Sequence, residues 1–122
     1  MHAGERMIAL LMGLKTISPA ALHDLLGKAT VLDVNAPGSW ARARVPGARA
    51  LDAAAFTERD LPEGKDALLV FYCSNPLCRK APNAAKRATA MGYRQVRVMS
   101  AGISGWLAAG LPTQSGEGAH AK

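Results

Sequence analysis

Residues Ala67-Leu68-Leu69-Val70-Phe71-Tyr72 form an unbroken apolar run. A strand with one wet face alternates apolar and polar side chains, whereas a strand covered on both faces reads as a continuous apolar stretch. The run therefore predicts a strand in the middle of a sheet that carries helices on both sides. Val31-Leu32-Asp33-Val34 and Val96 to Met99 read as further strands, each apolar but for one charged residue, Asp33 and Arg97.

Helical segments alternate with these runs. Thr16-Ile17-Ser18-Pro19 reads as a short strand leading into a helix, with Ser18 as N-cap and Pro19 at the first helical position. Leu22, Leu25 and Leu26 supply that helix with an apolar stripe, and Gly27 stops it. Asn35-Ala36-Pro37-Gly38 reads as a turn, Ser39 to Arg44 as a short helix carrying Trp40, and Val45-Pro46-Gly47-Ala48 as a second turn. Leu51 to Gly64 reads as irregular, with a short helix about Ala53 to Arg59. An Ala-rich helix is expected from Pro82 to Met91, ended by Gly92, and a last one from Ser104 to Ala109, carrying Trp106 and closed by Gly110. Strand and helix alternation predicts an α/β fold with an open, mostly parallel sheet covered on both faces. In such sheets the ligand site lies beyond the carboxyl ends of the strands.

The chain has 122 residues, enough for one domain with a single core. The expected division is an N-terminal extension over 1–14, a domain over 15–112, and a flexible tail over 113–122 that is small, polar and glycine-containing. Met7 to Leu14 is apolar but far too short to span a bilayer, and no small-residue cleavage site follows it. It reads as an element packed on the domain, and no membrane partner is expected.

The net charge is +6, spread over Arg42, Arg44, Arg49, Arg79, Lys80, Lys86, Arg87, Arg94 and Arg97 among others. These cations form no block, and aromatic side chains do not interleave with them as in a nucleic-acid stacking platform. The charge suits a small anionic substrate better than a nucleic acid. Two cysteines in one loop are too few for a disulfide framework, which points to a reducing, cytoplasmic location. Two thiols and the scattered His2, His23 and His120 fall short of a four-ligand zinc site, so no metal is expected, nor any organic cofactor.

Cys73 ends the central apolar run and opens the loop Ser74-Asn75-Pro76-Leu77-Cys78-Arg79-Lys80. A helix N-terminus and two cations lie just downstream, conditions that lower a thiol pKa and make a nucleophile. A strand-end cysteine can also be a small buried hydrophobe. Cys78, five residues on, is a candidate resolving thiol able to attack an oxidised or persulfidated Cys73, or else simply a turn residue. Asp33 reads as a buried structural carboxylate, Trp40 and Trp106 as packing residues, and His23 as exposed. Asn35 and Arg42 are candidates for the mouth of the site.

Four segments, in order, resemble the single-domain rhodanese-like sulfurtransferases. They are Val31-Leu32-Asp33-Val34 with Pro37 and Trp40; Arg44-Val45-Pro46-Gly47-Ala48; Phe71-Tyr72-Cys73; and Gly92-Tyr93 with Val96, then Ala101-Gly102-Ile103 through Trp106 to Leu111-Pro112. They span about residues 15 to 112. Asn35 stands where the family usually has Arg, Arg44 where it has His, and Ala101 where it has Gly. The resemblance implies a rhodanese-like fold and sulfur transfer through a persulfide on catalytic Cys73. Ser74, Asn75, Leu77, Cys78, Arg79 and Lys80 would hold the substrate, with the main-chain N–H groups of Ser74 to Lys80 as an anion cradle. It also implies a small anionic donor such as thiosulfate, and a thiol, a cyanide-like nucleophile or a sulfur-accepting protein as acceptor.

The loop carries about two residues more than the compact sulfurtransferase loop. Arg79 is the sixth residue after Cys73, which matches the Cys-X5-Arg count of phosphatases and arsenate reductases built on the same fold. That alternative stays open here, as do a Cys73/Cys78 thiol-redox protein and a non-catalytic binding module.

Overall fold

The computed structural model describes residues 13–116. Its five strands are β1 (Lys15–Thr16), β2 (Thr30–Asp33), β3 (Arg49–Ala50), β4 (Leu68–Tyr72) and β5 (Gln95–Val98). They form one open sheet in the order β1-β5-β4-β2-β3, and every pair is parallel. The four helices are α1 (Pro19–His23), α2 (Pro37–Arg42), α3 (Lys80–Ala90) and α4 (Gly102–Ala108), and a single 3₁₀ turn covers Glu58–Asp60. No helix among the described residues is long and apolar enough to cross a membrane.

β4 lies at the centre, paired with β2 through Asp33 and Tyr72 and with β5 through Phe71 and Val98. Its side chains alternate between two cores. Leu69, Phe71 and the following Cys73 pack with Ala81, Ala84, Ala85 and Ala88 of α3. Val70 and Tyr72 pack with Leu22 of α1 and Trp106 of α4 on the other face. The four alanines let α3 approach the sheet closely, which brings its first turn near the end of β4.

Several boundaries differ from expectation. Ser18 does cap α1, accepting from the Ala21 N–H at 3.1 Å, but the helix ends at His23 rather than reaching Leu26. Only Leu22 of the expected stripe is fully buried, so one turn suffices to cover the core. Pro37-Gly38 opens α2 instead of making a turn, because proline suits the first helical turn. The helix expected about Ala53 to Arg59 is only the 3₁₀ turn, whose N-cap Thr57 and Asp60 form a reciprocal capping box. α3 begins two residues earlier than expected, at Lys80.

The start of the expected flexible tail is ordered. Gln114 forms a two-way main-chain bridge with Arg44, at 3.0 Å each way, and its Oε1 accepts from Gly47 N–H. The buried Arg44 guanidinium donates to the carbonyls of Trp40 and Gly116 and stacks 3.6 Å from the Trp40 ring centre. A cation buried this way needs those acceptors, and residues 113–116 supply one. Residues 117–122, and residues 1–12 of the expected N-terminal extension, lie outside the described residues.

Candidate active site

Cys73 follows β4 directly, so the central strand delivers its side chain to the carboxyl end of the sheet on the α3 face. It is 3% exposed. The start of α4 holds the chain there: Ile103 N–H donates to the Cys73 carbonyl at 2.9 Å, and Ser104 N–H to the Ser74 carbonyl at 3.0 Å. Gly102 makes this approach feasible. It sits at φ +67°, and a Cβ on it would lie 2.6 Å from Ser74 C, Ser74 O and Asn75 N. A side chain there would push on main chain that has no room to yield. In the sequence Gly102 is marked only by the resemblance, because the helix is expected to begin at Ser104, two residues after the observed start.

The loop organises itself around Asn75. Its Oδ1 accepts from Leu77 N–H at 2.9 Å, and its carbonyl accepts from Cys78 N–H at 3.1 Å. Pro76 has no N–H to offer. The expected cradle running from Ser74 to Lys80 is therefore corrected: the Leu77 and Cys78 donors are spent inside the loop. Leu77 instead turns outward, 77% exposed. The donors that reach sulfur are the N–H groups of Ser74 and Ala81 at Cys73, and those of Lys80 and Ser74 at Cys78. Ala81 was not anticipated. It enters because α3 starts at Lys80 and points its unpaired N–H groups at the strand end.

The electrostatics also differ from expectation. Both cysteines are free thiols. The Cys73 thiol donates to the Cys78 carbonyl at 3.5 Å. Burial pushes Cys73 up to about 12, and the hydrogen bond and charge of Cys78 add to that, against the Ala81 and Ser74 N–H groups. Cys78 moves the other way. Burial opposes its ionisation, but the Cys73 thiol, the N–H groups of Lys80 and Ser74, and the Lys80 charge together outweigh it. The more acidic thiol is thus Cys78, not Cys73, because desolvation at the strand end outweighs charges on the rim. Arg79 is one of those rim charges: it is exposed and precedes α3.

Asn35 lies across from the loop. Ser74 Oγ donates to its Oδ1 at 2.7 Å, and its own N–H donates to Asp33 Oδ1 at 2.8 Å. Its Nδ2 is buried with no hydrogen-bond partner among the described residues. Asn35 and Lys80 border a groove of about 500 Å³, with Pro37, Leu51 and Asp52 among its walls. Arg42, the other candidate for the mouth, is exposed and bonds Ser39 instead. Asp33 is buried and structural, as expected: its Oδ2 accepts from the Tyr72 hydroxyl at 2.6 Å. Among the described residues no three His, Cys, Asp or Glu side chains gather as metal ligands would.

Residues 18–109 match the family profile described as the rhodanese-like domain. The chain is 31% identical over 90 residues to an HTH-type transcriptional regulator of Mycobacterium tuberculosis, covering 74% of this chain and 39% of that protein. The structure of a thiosulfate sulfurtransferase from Pseudomonas aeruginosa superposes with a TM-score of 0.73 at 33% identity, over 85% of this chain and 20% of that one. The human single-domain sulfurtransferase TSTD1 superposes with a TM-score of 0.67 at 22% identity, over 79% of this chain and 97% of that one. The chain thus spans well under half the length of the first two proteins.

Proposed function

The chain belongs to the rhodanese-like domain family, and from that premise we propose that it transfers sulfane sulfur through a persulfide on Cys73. The observation that carries this reading is a free thiol placed directly after the central strand, at the start of a loop that closes into the N-terminus of α3. Main-chain N–H groups at such a helix start stabilise negative charge on sulfur at the moment it forms. The likeness to a thiosulfate sulfurtransferase supports a donor of the thiosulfate type.

Burial opposes ionisation of Cys73, so its thiol gives up its proton to solvent as it attacks. The Cys73 sulfur then bonds to the outer sulfur of the donor. The donor S–S bond breaks, and its electron pair leaves with sulfite. The Ser74 and Ala81 N–H groups hold the nucleophile, while Lys80 and the net charge of +6 draw the anion in. A thiol, a cyanide-like nucleophile or a sulfur-accepting protein attacks the outer sulfur in the second half-reaction, with the groove beside Asn35 and Lys80 as its approach. Two free thiols in one loop suit a reducing compartment such as the cytoplasm.

Intact-protein mass spectrometry tests the reading. Reduced Cys78→Ser protein given thiosulfate gains one sulfur atom, and the Cys73→Ser/Cys78→Ser double variant gains none. A double variant that still gains sulfur, or a Cys78→Ser protein that stays unmodified, sinks it.

A further inference from the structure

A persulfide formed on Cys73 lies next to a second thiol before any acceptor arrives. Cys73 is buried, and its thiol donates to the Cys78 carbonyl at 3.5 Å, so the loop brings Cys78 back beside it. The Cys78 side chain is among the groups that shift the Cys73 ionisation, and Cys73 among those that shift Cys78. The inner sulfur of a persulfide therefore stands beside Cys78.

We propose that Cys78 is a second catalytic residue, which attacks the Cys73 sulfur of the persulfide, expels hydrosulfide and closes an intraloop Cys73–Cys78 disulfide. This step rests on the persulfide reading above. The Cys78 thiol passes its proton to the outer sulfur, and its sulfur bonds to Cys73 Sγ. The bond between Cys73 Sγ and the outer sulfur breaks, and its electron pair leaves as HS⁻. The sulfane sulfur is reduced to sulfide, and the two cysteine thiols are oxidised to one disulfide. A thiol reductant, mono- or dithiol, then returns both cysteines to the reduced state. The internal acceptor makes the protein a sulfide-releasing enzyme coupled to thiol reductants.

Two features favour the inner sulfur as target over the outer one. Attack by Cys78 on the outer sulfur would only move the sulfane sulfur from one loop cysteine to the other and release nothing. Attack on the inner sulfur expels hydrosulfide. The second feature is access. The short turn closed by Cys78 N–H on the Asn75 carbonyl brings Cys78 back to Cys73, whose thiol reaches the Cys78 carbonyl.

A single-turnover experiment without oxygen or added reductant tests this. The reduced protein receives one equivalent of thiosulfate, and sulfite, sulfide and protein mass are measured. The expected result is one sulfite and one sulfide per chain, with the protein lighter by two hydrogens and no longer alkylatable. Cys78→Ser, with Cys78→Ala beside it, is expected to release sulfite alone and keep one added sulfur. Wild-type protein that retains the added sulfur with Cys78 still alkylatable overturns the internal step and leaves the persulfide reading standing. If neither wild type nor the Cys78 variants release sulfite, both readings fail.

Discussion

The Tyr72 hydroxyl and the Asp33 carboxylate, on directly paired residues of β4 and β2, meet at 2.6 Å in the buried core. The same hydroxyl accepts from Val45 N–H at 3.0 Å. One phenol therefore ties the central strand, its neighbour and the segment after α2, immediately before the nucleophile. Tyr72→Phe leaves the Val45 N–H and an Asp33 oxygen without partners. The expected cost is about 1–3 kcal/mol of stability, read from urea unfolding at neutral pH. A loss within error would show that the hydroxyl is dispensable.

Asp33 gives this core a pH signature. Burial raises its pKa above 3.8, against the hydrogen bonds from Tyr72 and Asn35 and the charge of Arg44. A raised carboxyl binds its proton more tightly folded than unfolded. Its contribution is therefore full below 3.8 and is lost as pH rises through the folded value. The stability of wild type relative to Asp33→Asn should fall over that window, by at most about 1.4 kcal/mol per pH unit, and be flat above it. Parallel unfolding curves for the two proteins from acid to neutral pH would contradict this.

Gly102→Ala tests how the loop is seated. The new methyl meets Ser74 and Asn75 main chain at 2.6 Å, on a backbone with φ +67°. The backbone conformation alone costs roughly 1–2 kcal/mol. Displacing the loop should lower persulfide formation by about ten- to a hundred-fold, since misplacement by about an ångström is enough for that. Sulfite release and thermal unfolding, measured on the same preparation, separate the two effects. An active but destabilised variant would mean that the loop does not depend on this contact.

Lys80→Met tests the charge beside Cys78. The Lys80 charge is one of the groups that lower the Cys78 pKa, and the Lys80 N–H survives the substitution. The pH profile of Cys78 alkylation, followed in a Cys73→Ser background, should move to higher pH when Lys80 is replaced. An unmoved profile would leave the main-chain donors as the whole cause.

The features that were legible in the sequence share one property: they depend on local patterning. The uninterrupted run from Leu68 to Tyr72 announced a doubly covered strand, and Ser18-Pro19 announced a capped helix. Cys73 at the end of that strand followed from the two together. β3 was not visible, because a two-residue edge strand such as Arg49–Ala50 has no period to read. The pinned residues 113–116 were missed because their partner is a buried arginine far away in sequence. Thiol acidity was misassigned for a related reason. Counting nearby cations put the low pKa on Cys73, but depth decides it, and depth is fixed by how closely α3 packs. The N–H groups of Leu77 and Cys78 looked available until Asn75 was seen to use them.

The alternation along β4 makes the site a matter of parity. Tyr72 and Cys73 are neighbours in the chain but face opposite layers. Losing or gaining one residue ahead of them, with the strand kept in register with β2 and β5, would trade their places. A phenol would stand among the donors of α3, and a thiol would sit where Asp33 and Val45 await a hydroxyl. Insertions and deletions in the segment leading into β4 should thus be accepted only in pairs or where the connecting loop absorbs them, whereas substitutions at its surface remain free.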